Sequence, residues 1–158
     1  MAQEIERKFL VRGKDWRHGA VGVEYRQGYL SLRPERTVRV RVAGDRGWLT
    51  IKGKPVGARR AEFEFEIPLA DALAMLQTLC EQPLIEKTRY RVVHGTATWE
   101  IDEFHGDNEG LCVAEIELGQ EDELFDLPAW AGAEVTDDPR YANASLVREP
   151  YRDWRERG

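Results

Sequence analysis

The chain has 158 residues, of which 42% are apolar and 33% charged, enough for one domain with a core of its own. Its 23 basic and 29 acidic side chains give a net charge of -6, unlike the basic balance of a general nucleic-acid binder. No apolar run approaches the ~18 residues of a membrane span, the opening MAQEIERKFLV has no apolar signal segment, and two cysteines, Cys80 and Cys112, suit a reducing cytoplasm rather than a disulfide or zinc scaffold.

In chain order, period-two alternation predicts strands at 3–11, 23–32, 36–43 and 47–53, the last two joined by the turn GDRG. A strand at 60–68 precedes a helix over LADALAMLQTLC (69–80), which is rich in helix formers and closed by Pro83. Strands follow at 85–94, 97–104 and 111–119, with turns HGT (94–96) and HGDNEG (105–110) between them. Beyond 120, DLPAWAGAEVTDDP reads as loop with short helical pieces, RYANASLVRE (140–149) as a terminal helix and YRDWRERG as a solvated end. With no repeat or linker, 1–158 reads as a single domain of mainly β class: an eight-stranded antiparallel closed barrel with a few flanking helices.

One face of nearly every strand is ionised. Glu4, Glu6 and Lys8 share a face. Arg39 and Arg41 alternate with valines, Lys52 follows Thr50, and Glu62, Glu64 and Glu66 alternate with Phe63, Phe65 and Ile67. Lys87, Arg89 and Arg91 alternate with Thr88, Tyr90 and Val92, and Glu100, Asp102, Glu115 and Glu117 continue the pattern. An ordinary wet sheet face would carry Thr, Ser and Gln as well. Counting back evenly from GDRG sets Arg39 opposite Lys52 and Arg41 opposite Thr50; the same count around 105–110 sets Glu100 opposite Glu117 and Asp102 opposite Glu115. Like charges across a ladder are destabilising. Along one strand they sit ~6.6 Å apart, a repulsion of ~2.5 kcal/mol at an effective dielectric of 20. Around HGT the registers set Lys87 or Arg89 against an acid, a pairing that structure alone could explain.

Rows of one sign call for ligands. Lys8, Arg39, Arg41, Lys52, Lys87, Arg89 and Arg91 suit a polyanion. Carboxylates without His or Cys suit a hard divalent cation such as Mg²⁺ or Mn²⁺. Together they suggest a metal–phosphate complex inside a barrel whose charged face points inward.

The run Glu4-Ile5-Glu6-Arg7-Lys8 is an E-x-E-x-K signature, followed in order by Arg39-Val-Arg41, Thr50-Ile-Lys52, Glu62-Phe-Glu64, Lys87-Thr-Arg89-Tyr-Arg91, Asp102 and Glu115-Ile-Glu117, with DPRYANASL at 138–146. This ordered set, spanning roughly 3–147, resembles the CYTH superfamily, the triphosphate tunnel metalloenzymes, and its short bacterial members in particular. The resemblance implies an eight-stranded tunnel holding a linear triphosphate and an activity as a metal-dependent hydrolase of inorganic tripolyphosphate. By the same resemblance Glu4, Glu6 and Glu117 carry Mg²⁺ or Mn²⁺ with Glu115 close by. Glu62 and Glu64 hold a second metal or the attacking water, and the seven cations bind phosphate, Lys8 standing beside the catalytic acids. Some relatives use a lysine from a C-terminal plug, but no lysine follows Lys87; Arg140, Arg148 or a tunnel lysine is left to protonate the leaving group.

Other readings are an adenylate cyclase of the class IV type, for which no ribose or base motif is present, a thiamine or nucleoside triphosphatase, and a non-catalytic polyphosphate-binding module. The expected partner is a small-molecule triphosphate, with no nucleic acid and no membrane; a homodimer is left open. His18, His94 and His105 read as surface residues, Cys80 and Cys112 as small core residues, Trp99 as packed in the shell, and Asn143 and Tyr141 as residues that cap the helix or pack against the tunnel end.

Overall fold

The computed structural model describes residues 3–155. Eight strands form the wall: β1 (Gln3–Val11), β2 (Gly22–Arg33), β3 (Arg36–Ala43), β4 (Arg46–Gly53), β5 (Arg59–Ile67), β6 (Ile85–His94), β7 (Ala97–Phe104) and β8 (Cys112–Glu117). Their order is β5-β4-β3-β2-β6-β7-β8-β1, all antiparallel, and β1 pairs back onto β5 through Gln3–Ala61 to Ile5–Arg59. That last pairing closes the ring, as the sequence led us to expect. A ninth strand, β9 (Ala131–Glu134), continues beside β1 where β5 leaves it, pairing with Phe9 and Val11. The sequence reading took this stretch for loop; its AGAE carries no β-branched or aromatic residue to mark it.

Two hairpins turn on two residues each, and at GDRG this is tighter than the even count assumed. Ala43 pairs Arg46 and His94 pairs Ala97, so each turn has two central residues, the first Gly44 (φ 59°) and Gly95 (φ 62°). Glycine takes that left-handed conformation without a Cβ clash. Consequently Arg39 faces Thr50, Arg41 faces Trp48 and Lys52 faces Thr37. Across β7–β8 Glu100 faces Glu115, and Asp102 faces Val113. The shift is two residues in each case, so every side chain keeps the face assigned to it.

Because the inward face is charged, the apolar packing lies outside the barrel. Helix α1 (Leu69–Thr78) covers β3 and β4, burying Ala72 and Leu76 against Val40 and Val42; Cys80, just past its end, joins them. A second layer surrounds Trp99, which meets Phe9, Phe125 and Trp130 edge to face. The third gathers the C-terminal segment over one barrel end: a 3₁₀ turn at Pro139–Tyr141, α2 (Asn143–Arg148) and α3 (Tyr151–Trp154). Trp154 is 6% exposed and packs on Tyr141 and Tyr151, so YRDW is not the solvated end expected of it; residues 156–158 of that tail lie outside the described residues. No helix among the described residues is long and apolar enough to cross a membrane. Leu76 is fully buried, and Leu76→Ala is expected to cost about 2–5 kcal/mol in denaturant titrations while leaving turnover per folded molecule unchanged.

Candidate active site

The inward side chains enclose a cavity of about 430 Å³. All thirteen side chains singled out in the sequence line it: Glu4, Glu6 and Lys8 from β1, Arg39 and Arg41 from β3, Lys52 from β4, Glu62 and Glu64 from β5, Lys87, Arg89 and Arg91 from β6, and Glu115 and Glu117 from β8. Tyr25, Tyr29, Arg60, Glu100 and Asn143 line it too.

The wall is more fully paired than rows of like charge suggest. Lys52 Nζ donates to Glu4 Oε1 at 2.8 Å and lies 3.3 Å from Glu62. Arg39 donates to Thr50 Oγ1 at 3.3 Å and approaches Glu64 at 3.6 Å, while Thr50 donates to Glu64 at 2.9 Å. Asp102, wholly buried, accepts from Lys87 at 2.8 Å and from two nitrogens of Arg89 at 2.7 and 2.8 Å. Arg89 and Arg91 both reach Glu100, at 3.3 and 3.4 Å. Lys8 lies 3.9 Å from Glu115. The β6–β7 pairing of cation with acid is therefore an internal ion network.

Two places escape this pairing. Arg41 makes no ion pair among the described residues; its Nε donates to Gln27 at 3.0 Å, and its guanidinium lies 4.8 Å from the Tyr25 ring centroid, which Arg89 also approaches at 4.9 Å. Arg39 Nε is buried with no hydrogen-bond partner among the described residues, although its terminal nitrogen reaches Thr50 and Glu64. Burial and the neighbouring Arg39 and Arg89 lower the Arg41 pKa to about 9. A buried donor without a partner is costly, and an anion in the cavity would supply the acceptor.

The carboxylates show the converse. Burial, then the charges of Glu115 and Glu4, push Glu6 well above the usual carboxylate range. Burial raises Glu4 against the pull of Lys52, and burial with Glu4 and Glu100 raises Glu117. Glu6 sits directly across the ladder from Glu117. Glu115 differs: burial opposes its ionisation, yet Lys8 and Arg89 prevail and hold it at about 2. Among the described residues no three His, Cys, Asp or Glu side chains form a ready-made cage. The donor chemistry nevertheless fits a hard divalent cation, since oxygen ligands crowded together and raised by one another gain most from positive charge.

Lys87, fully buried, is brought down to about 7 by burial, with Asp102 opposing and Arg89 assisting. Neither Arg140 nor Arg148 lines the main tunnel cavity. Arg140 is held by Asp138 at 2.7 Å and lies over the Trp154 ring; Arg148 is exposed and lines a second cavity of about 380 Å³, which adjoins the tunnel because Glu4, Glu6 and Lys8 line it too. Gln27 is a participant the sequence reading did not name, and Asn143 is one it placed either as a cap or against the tunnel end. Gln27 lies two residues from Tyr25 and Tyr29 on the inward face, a parity the sequence already held. Asn143 caps no helix; its Oδ1 accepts from Gln27 at 2.9 Å and from Lys87 at 3.0 Å, a contact between segments with no local signal.

Comparison with known proteins matches residues 2–151 to the CYTH domain. A relative from Acetivibrio thermocellus, named inorganic triphosphatase, is 51% identical over 156 residues, covering 99% of this chain and all of that protein. One from Nitrosomonas europaea, of the same name, is 37% identical over 150 residues, covering 91% and 96%. A crystal structure of an inorganic triphosphatase superposes with a TM-score of 0.63 at 35% identity, covering 93% of this chain and 95% of that one.

Proposed function

The chain belongs to the CYTH domain family, and from that premise we propose that it is an inorganic triphosphatase, hydrolysing tripolyphosphate to pyrophosphate and phosphate inside its tunnel. The charge of the tunnel wall carries the reading: unpaired cationic donors at Arg39 and Arg41 share one cavity with carboxylates that repel one another at Glu4, Glu6 and Glu117.

In this reading Lys8, Arg39, Arg41, Lys52, Lys87, Arg89 and Arg91 grip the phosphate oxygens, arginines as planar forks and lysines as point charges. Glu4, Glu6 and Glu117, with Glu115 beside them, hold Mg²⁺ or Mn²⁺. Bound there, the ion adds positive charge to the phosphoryl oxygens and lowers the pKa of a water. Glu62 and Glu64 orient the attacking water and take up its proton. The water oxygen forms a bond to a terminal phosphorus in line with the bridging oxygen that leaves. Lys87, held at about 7, has the pKa suited to protonating that leaving oxygen.

Phosphate release from tripolyphosphate, ATP, GTP and thiamine triphosphate, each with Mg²⁺ and Mn²⁺, tests the assignment. Tripolyphosphate is expected to give the highest kcat/KM. Cyclic AMP formed from ATP at a comparable rate would instead make the tunnel a cyclase site.

A further inference from the structure

We propose, resting on the triphosphatase reading, that Gln27 and Asn143 form a positioning bridge that aims Arg41 and Lys87 at the substrate, making the C-terminal segment part of the active site. The chain of donors runs Arg41 Nε to Gln27 Oε1 (3.0 Å), Gln27 Nε2 to Asn143 Oδ1 (2.9 Å), and Lys87 Nζ to the same Oδ1 (3.0 Å). Gln27 is fully buried, so its amide hydrogen bonds must be met within the protein. Its two ends are then fixed: Arg41 can only donate, so it takes the oxygen, and the NH₂ faces Asn143 Oδ1, the side-chain oxygen that also accepts from Lys87.

The chemistry of the bridge is its significance. Elsewhere on the wall a cation is held by a carboxylate, as Lys52 is by Glu4 and Arg89 by Asp102, and part of its charge is cancelled. An amide oxygen orients a cation without neutralising it. Arg41 is held through Nε alone, and no hydrogen bond or ion pair within the described residues engages its terminal nitrogens, so the fork and its full charge remain for phosphate. The segment that brings in Asn143 also holds a second tunnel lysine: Lys8 Nζ donates to the Tyr141 carbonyl at 3.2 Å. Thus the 3₁₀ turn and α2 close one barrel end and set the direction of two lysines and, through Gln27, one arginine. Gln27 and Asn143 act through these cations and are positioning residues.

The test is steady-state hydrolysis of tripolyphosphate with saturating Mg²⁺ by Gln27→Leu, Asn143→Leu and the double variant, with rates normalised to folded protein. Gln27→Leu is expected to raise KM about tenfold, the worth of one well-aimed hydrogen bond from a charged group, with little change in kcat. Asn143→Leu should lower kcat as well, because Lys87 loses an acceptor. The double variant should be less impaired than the product of the single effects, since either change alone breaks the shared bond. Should Gln27→Leu fail to fold, Gln27→Glu keeps the size and the acceptor for Arg41 but cancels its charge, and is expected to raise KM similarly; a purely structural glutamine would leave KM unmoved in that variant. Wild-type kinetics in the folded single variants, or effects that multiply in full, would overturn the bridge while leaving the triphosphatase assignment standing. A wild-type protein inactive on tripolyphosphate would overturn both.

Discussion

Replacing Glu6 by glutamine is expected to lower kcat for tripolyphosphate about 10³-fold while raising the melting temperature. Both halves follow from its position. Glu6 faces Glu117 across the ladder and feels Glu115 and Glu4 besides, so its carboxylate is an unfavourable charge in the folded protein. The sign is that of an acid whose folded pKa is raised: its penalty is absent well below pH 4.5, grows as pH rises towards the folded pKa, and is complete above it. Glutamine keeps the shape and removes the penalty, so the gain in stability should be larger at pH 8 than at pH 5. The same carboxylate is the one a divalent cation would gain most from meeting. A loss of 10³ in rate corresponds to about 4 kcal/mol, within the several kcal/mol a metal contributes to phosphoryl transfer. Mg²⁺ at a hundredfold excess over Kd should stabilise the wild type by about 2.7 kcal/mol and the variant by much less. Melting curves at two pH values, with and without Mg²⁺, read the stability terms, and phosphate release reads the rate. Full activity in the variant, or an undiminished Mg²⁺ shift, would remove Glu6 from the metal site.

The inward face was readable because strand parity survives errors of register. Arg39 was set against Lys52 and in fact faces Thr50, yet a two-residue slip leaves it pointing into the tunnel. What parity does not carry is the pairing, and pairing decides the electrostatics. Lys52 meets Glu62 from the adjacent β5 and Glu4 from β1, the next strand round the ring, so the row of like charges is interrupted by acids the hairpin count never brought near. Residues 105–110 held no two-residue turn, and the real register there sets Glu100 against Glu115. The C-terminal segment was least legible. AGAE has no strand pattern of its own and is recruited by the free edge of β1 where β5 departs. Trp154 is buried by Tyr141 and Tyr151, neighbours supplied by the fold. Asn143 looked like a capping residue because Asn usually is one before a helix; here Ala142 holds the cap position, freeing the amide for the tunnel.

Asp102→Asn is expected to lower stability by about 3–5 kcal/mol at pH 6, because it strips the carboxylate from two buried cations at once. Lys87 and Arg89 both rest on Asp102, and all three are nearly or wholly buried. At ~2–4 °C per kcal/mol for a chain of this size, the melting temperature should fall by roughly 10 °C. The pH dependence identifies the cause. Burial works against ionising Asp102, but Arg89 and Lys87 hold its pKa below the ordinary value. Its contribution is therefore fully present above about pH 4 and is lost only as pH falls below that towards its depressed folded pKa. Lys87 has the opposite sense. Its folded pKa of about 7 lies below the ordinary lysine value of 10.5, so its burial penalty is complete below pH 7 and is relieved as pH rises from 7 towards 10.5. Without Asp102 the lysine pKa drops further, and relief begins lower. The gap between wild type and variant should be widest near pH 4–6 and narrow towards pH 7, by up to ~1.4 kcal/mol per pH unit over which the two lysines differ by one proton. Denaturant titrations across pH 3–9 measure that gap. A gap that is small, or that stays constant between pH 5 and 8, would show that Asp102 does not set the charge of Lys87, and the proton donor would then have to be sought elsewhere on the wall.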